Sequence, residues 1–281
     1  MMPVWQLQRI LARPFDWILS PFGDVHPLFS LALVSLLASV ILLLAFRWVS
    51  DQTALREVKD RIHAHFLELK LFRHDVSVIW SAEKQILRYN LLYLTHLVTP
   101  LLVTLPVLAW FLVSLEPWFS SRPLRVGEAA IVSIFVKPEE GNLLRDIHLA
   151  GNEGLEVETP ALRTLSENRA DWRVRALAPG EYQLEFLLDR EGTNRLKKLV
   201  RVSRERIAPV ARSLSDGGWL AVFENSQEVP LPPTSGVERI EVDYPEAEIV
   251  VRGWAVNWVV GFLVFSLVFA FLLKRPFGLV L

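Results

Sequence analysis

Three apolar runs, at residues 28–46, 91–115 and 254–273, constrain this 281-residue chain more than any other feature of it. Each is at least 19 residues long and contains no Asp, Glu, Lys or Arg. At about 1.5 Å of rise per residue, a helix of that length matches a hydrocarbon core of ~30 Å. The sequence therefore reads as an integral membrane protein with three transmembrane helices.

Formal net charge is −1, which points to neither nucleic acid nor acidic substrates, so the distribution of charge matters more than its sum. Residues 47–90 carry eight basic side chains, Arg47, Arg56, Lys59, Arg61, Lys70, Arg73, Lys84 and Arg88, whereas only Arg9 and Arg13 precede the first run. The positive-inside rule puts 47–90 in the cytoplasm, the N-terminus and residues 116–252 outside, and the tail 274–281, with Lys274 and Arg275, inside. That is an N-out, C-in protein, expected in a bacterial inner membrane.

A signal peptide would need a shorter apolar core behind a basic start and small residues at its end. The first run ends in Phe46-Arg47-Trp48, and that reading is rejected. Within residues 1–27, Trp5, Leu7, Ile10, Leu11, Trp17, Ile18 and Leu19 recur at roughly helical spacing around Pro14. This is the pattern of an amphipathic helix in the outer membrane interface, the alternative being a flexible arm.

Between the first two runs, Leu55, Val58, Ile62, Phe66, Leu69 and Phe72 mark one apolar stripe on a charged helix beginning after Asp51. The pattern resets near Arg73-His74-Asp75, and Asp75 is placed to cap a second helix carrying Val76, Ile79, Ile86 and Leu87. With no Pro or Gly before Pro100, that helix should run on into residues 91–115. The expectation is an antiparallel helical hairpin over 47–90, either a working element or a spacer.

Residues 122–250 change period. Ala130, Val132, Ile134 and Val136 alternate, as do Trp172, Val174 and Ala176, then Tyr182, Leu184, Phe186 and Leu188, then Val200 and Val202, with Ala178-Pro179-Gly180-Glu181 as a turn. Short strands with turn signals imply an antiparallel sandwich. The run from Pro179 to Phe186 resembles the strand after the tyrosine corner of immunoglobulin-like modules, without the Cys and Trp spacing of antibody domains. The stretch after Ala208, with Gly217-Gly218 and Pro230, Pro232 and Pro233, reads as a loop-rich extension. With no cysteine in the chain, this domain depends on its core alone. The fold class expected is a membrane α-helical protein, three transmembrane helices plus a cytoplasmic hairpin, with an extracytoplasmic all-β Ig-like sandwich.

The order of an N-out span, a cytoplasmic hairpin and a second span holding Thr99-Pro100 and Thr104-Leu105-Pro106 resembles the YidC/Oxa/Alb insertase superfamily, in particular its minimal three-span members. The resemblance covers roughly residues 25–120. It implies a protein that helps membrane proteins insert or assemble through a polar groove, with nascent or unassembled membrane proteins as partners and the hairpin meeting a client or a ribosome. Two features differ: a whole domain stands where minimal members have a short loop, and no span carries an internal Arg. Groove chemistry then falls to neutral groups, namely Ser35 and Ser39 on the first span and Thr95, His96, Thr99 and Thr104 on the second. Such groups lower the cost of passing polar flanks into the bilayer, where a charge costs ~2.5–3.5 kcal/mol at mid-depth. Hydroxyls one helical turn apart also serve as packing contacts, and that alternative stays open. Gly253, Asn257 and Gly261 form a small face for which packing is expected.

No enzyme, catalytic residue, metal or cofactor is expected. Ser81 and Lys84 have the spacing of a Ser-x-x-Lys nucleophile without its companion motifs, and His63 and His65 are two apart on a helix and diverge. The alternative function is a structural or adaptor subunit of an envelope complex that holds a protein partner through its β-domain.

Overall fold

The computed structural model describes residues 4–72, 74–189, 193–215, 228–251 and 253–279. Gly217-Gly218 and Arg73 lie outside the described residues. The chain divides into two compact units, residues 31–111 with 259–281, and residues 1–30 with 112–258.

The first unit is helical. It takes most of α2 (Pro27–Val49), α3 (Gln52–Leu71), most of α4 (Val76–Phe119) and α5 (Trp258–Leu273). Asp51 caps α3 by accepting from the backbone N–H groups of Thr53 and Ala54, both at 3.0 Å. Asp75 caps α4 through Ser77 N at 2.9 Å and the Ser77 hydroxyl at 2.8 Å. These bonds to the ionised form hold the Asp75 carboxyl below its ordinary range. α4 continues without a break for 44 residues.

The hairpin packs on a different stripe from the one its apolar residues suggest. Leu55 and Val58 are buried as expected, but His65 takes the next inward place and stacks on Tyr89 with ring centres 5.6 Å apart. Inward positions are thus 55, 58, 62, 65 and 69, a strict three-four repeat, and Arg61 Nη1 donates to Tyr89 Oη at 3.2 Å beside it. Phe66, expected inside, is 54% exposed because a step of four from Ile62 leaves the repeat; Phe72, also expected inside and 48% exposed, is the C-cap residue beyond α3.

α2 and α4 are long and apolar enough to cross a membrane; α5 is apolar but only 16 residues long. The expected third span began at Trp254. Instead Trp254–Val256 (β11) pairs antiparallel with Ile249–Val251 (β10) across Gly253, whose φ of +89° suits a residue without a Cβ. The first four residues of that apolar run are therefore outside the helix. Beyond Leu273, Lys274 N and Phe277 N still donate to carbonyls four residues back, so the helical bonding continues past its C-terminal end.

The second unit is built on two antiparallel sheets. One runs β3 (Leu155–Val157), β5 (Arg169–Ala176), β1 (Ala129–Val136), β9 (Val237–Val242), β8 (Ser213–Ser215), with β4 (Leu162–Thr164) also on β5. The other runs β2 (His148–Ala150), β6 (Gly180–Leu187), β7 (Arg195–Val202). The alternating residues point inward: Val132, Ile134 and Val174 are at most 1% exposed, and Trp172 meets Phe186 edge-on at 5.7 Å. Amphipathic α1 (Val4–Leu19) buries Ala12, Phe15 and Leu19 and leaves Trp17 79% exposed. Trp118 Nε1 donates to Asp16 at 3.1 Å, and Gly23 O accepts from Arg206 N and Ile207 N, so α1 and the turn after it belong to this unit.

Tyr182 has the hydrogen bond of a tyrosine corner, its hydroxyl donating back to Pro179 O at 3.2 Å. Its ring lies where a Cβ on Gly154 would have to be. Gly154→Ala should therefore lower stability by about 1–3 kcal/mol in thermal melts of the whole protein. In a Tyr182→Ala background that penalty should vanish; an equal loss in both backgrounds would refute the contact.

Candidate functional site

The expected groove residues fall into two sets. Ser35 and Ser39 are fully buried, and their hydroxyls are spent on backbone carbonyls: Ser35 Oγ donates to Leu31 O at 2.7 Å, and Ser39 Oγ to Ser35 O at 2.7 Å and Ser266 O at 2.9 Å. The last of these ties α2 to α5, where Gly261 and Ser266 are also buried. Gly253 and Asn257 precede α5, so the small face expected from Gly253, Asn257 and Gly261 does not exist; Gly253 serves the hairpin turn instead.

Thr95, His96, Thr99 and Thr104 stand apart from those serines, on a stretch of α4 that covers little of itself. Thr95 and Thr99 are exposed, His96 and Thr104 half-buried, and among them Leu91, Leu94 and Leu102 are more than half exposed. Thr95 Oγ1 donates to Leu92 O at 2.7 Å and Thr104 Oγ1 to Leu101 O at 3.0 Å, bonds that satisfy a hydroxyl in an apolar setting. Pro100 has no N–H, so the carbonyl of His96, four residues back, has no helical donor. Pro106 does the same to the carbonyl of Leu102. Exposed Thr95 and Thr99 lie on the face of Leu91 and Leu102, while half-buried His96 and Thr104 lie off it.

Ser81 Oγ donates to Val78 O at 2.9 Å and Lys84 Nζ lies over the Trp80 ring at 5.3 Å, so the pair is not arranged as nucleophile and base. Among the described residues there is no group of three metal-ligating side chains.

The β-unit contributes two features that sequence alternation did not reveal. Directly paired positions place Asp171, Ser133, Glu241 and Ser213 in one row across four strands of the larger sheet. Next to this row Phe135 sits between the guanidinium groups of Arg239, at 4.1 Å, and Arg169, at 5.9 Å. A depression of about 420 Å³ opens over the row, and in it Asp171 Oδ1 and Ser213 Oγ have no hydrogen-bond partner. The second feature is Lys198, which occupies an inward position of β7 and is fully buried. Its ammonium donates to Ala211 O at 2.7 Å and to Glu228, whose other oxygen accepts from Leu199 N at 2.9 Å. Burial pushes the Lys198 pKa down, and the Glu228 carboxylate opposes that shift. A lysine on a core stripe was the available signal; its partner 30 positions away was not visible.

Comparison with family models, curated proteins and solved structures gives no match for this chain.

Glu228→Gln should strand a buried ammonium and cost roughly 3–5 kcal/mol, while Lys198→Met combined with Glu228→Gln should recover most of the loss. Thermal melts of the full chain decide; a single-variant loss below ~1 kcal/mol would mean the pair is not buried.

Asp16 gives a pH test. Burial raises its pKa, more than its Trp118 bond and the attraction of Arg201 lower it. The folded state thus binds that proton more tightly than the unfolded chain, so this contribution favours folding more as pH falls through the raised value. Asp16→Asn keeps an acceptor for Trp118 and should raise the melting temperature at pH 7 while flattening its rise toward acid. An unchanged pH profile would exclude Asp16 as its source.

Proposed function

We propose that the protein is an integral membrane insertase or membrane chaperone whose working surface is the exposed face of α4 around Thr95, His96 and Thr99. The carrying observation is that this stretch of α4 combines exposed Leu91, Leu94 and Leu102 with exposed Thr95 and Thr99, half-buried His96 and a proline-freed carbonyl. A client helix finds apolar contact there, and its polar flanks find donors and acceptors that lower the cost of entering hydrocarbon. On this reading α2, α4 and α5 span the bilayer, α3 with the start of α4 is cytoplasmic, and the β-unit lies outside, in agreement with the eight basic residues of 47–90. Ser35 and Ser39 are helix-packing groups and have no part in the groove.

A second reading, an adaptor subunit of an envelope complex, is favoured by the Phe135 face, where unsatisfied Asp171 and Ser213 atoms suit a protein partner. One experiment separates the two. Photocrosslinkers at 95, 96 and 99 in cells should capture many newly made membrane proteins. Thr95→Leu, His96→Leu and Thr99→Leu together should reduce client insertion about tenfold at unchanged expression, as expected for a loss near 1.4 kcal/mol. A single stoichiometric adduct, or insertion unchanged in the triple variant, would favour the adaptor.

A further inference from the structure

The second unit holds a charged cavity within itself. His26 and Pro27 open α2, Arg122 and Arg125 follow the end of α4, and Val250 lies in the hairpin that leads to α5. Together with Arg206, Glu246 and Glu248 they line a space of about 600 Å³. The cavity is held by backbone: Arg122 N donates to Pro245 O at 3.0 Å, Ala247 N to Ser120 O at 3.2 Å, and Arg206 N to Gly23 O at 2.9 Å.

The charges in it are not alike in their engagement. Arg122 is committed, its guanidinium forked onto both oxygens of Glu128 at 2.8 and 3.0 Å. That fork holds the Glu128 carboxyl below its ordinary range, with a longer-range contribution from Arg125. Arg125 and Arg206 are exposed and make no side-chain hydrogen bond or ion pair with any described residue; the same holds for Glu246 and Glu248. Two guanidinium groups with open forks suit a phosphate, and two open carboxylates beside them suit an ammonium. A simple anion would be repelled by the carboxylates. Phe29 and Trp254, 69% and 78% exposed, stand on the same unit beside the pocket-lining segments, as aromatic residues do at a membrane interface.

We propose that this cavity binds the headgroup of a zwitterionic phosphoethanolamine lipid, its phosphate on Arg125 and Arg206 and its ammonium on Glu246 and Glu248. The inference rests on the membrane reading given above. It places an ordered lipid where α2 enters the bilayer.

The test uses the full chain reconstituted into vesicles of equal phosphatidylethanolamine, phosphatidylglycerol and phosphatidylcholine, then extracted gently for native mass spectrometry of retained lipid. The wild type should retain phosphatidylethanolamine about tenfold over both others. Arg125→Glu with Arg206→Glu should abolish that enrichment, and Glu246→Gln with Glu248→Gln should move the preference to phosphatidylglycerol, all with unchanged circular dichroism. Retained lipid that mirrors the vesicle, or enrichment that survives the arginine changes, would overturn the site. Complete displacement by soluble glycerophosphoethanolamine at the concentration of the lipid would make it a site for the free headgroup and overturn the lipid assignment. Flotation is the separate control: protein that floats without lipid preference defeats this inference alone, and protein that does not float with vesicles defeats both readings.

Discussion

Every backbone N–H and C=O in a long apolar segment must find its partner within the protein, and the helical unit is organised by that requirement. α2 and α5 meet it by regular i to i−4 bonding and then pack so closely that a serine hydroxyl on one reaches a backbone carbonyl on the other. α4 breaks the pattern three times, at Pro100, Pro106 and Pro117, yet remains one helix of 44 residues. A proline inside a helix costs ~3 kcal/mol, and the carbonyls it frees need donors from elsewhere. In a soluble protein water would supply them. In a bilayer the donors must be side chains, trapped water or a second polypeptide.

Caps and periods were legible because they are local. Asp51 and Asp75 each sit directly before an apolar period, and the structure uses both as N-caps through bonds two and three residues away. Alternation in 130–136 and 172–176 likewise selects the inward face of a strand without reference to its neighbours. Errors arose where a position is decided by a partner. Phe66 is more apolar than His65, but the seam of the hairpin is set by geometry against α4, and His65 holds its place there through Tyr89. Trp254 to Val256 are apolar enough for a helix, and only pairing with β10 makes them a strand. Ser35 and Ser39 read equally as groove or packing until α5 supplies the carbonyl that Ser39 binds.

The β-unit solves the opposite problem, with its charges outside and a core that has no disulfide to help it. Its inner face contains one full charge, and Lys198 is tolerated because a carboxylate, a carbonyl and geometry converge on it. Apolar residues in place of a buried ion pair are often as stable or more so, so the pair does not arise from a need for stability. Glu228 is the first described residue after 216–227, and it binds the β7 backbone and the lysine together. A buried ion pair used in this way fixes Glu228 against β7, a specification that apolar contacts of equal strength would leave open to slippage.

Much of the charge on the strands of that unit is paired. Glu158 is shared by Arg173 and Arg175, Glu185 by Arg195 and Lys197, and Arg239 faces Glu241. Exposed pairs of this kind, screened by solvent, add little to stability. Arg125 and Arg206 instead share a cavity with Glu246 and Glu248, and none of the four has a side-chain partner among the described residues. If stability alone governed them, a short rearrangement of exposed side chains would bring opposite charges together at almost no cost. Both signs lining one cavity whose walls are fixed by backbone hydrogen bonds suit a ligand that itself carries both signs.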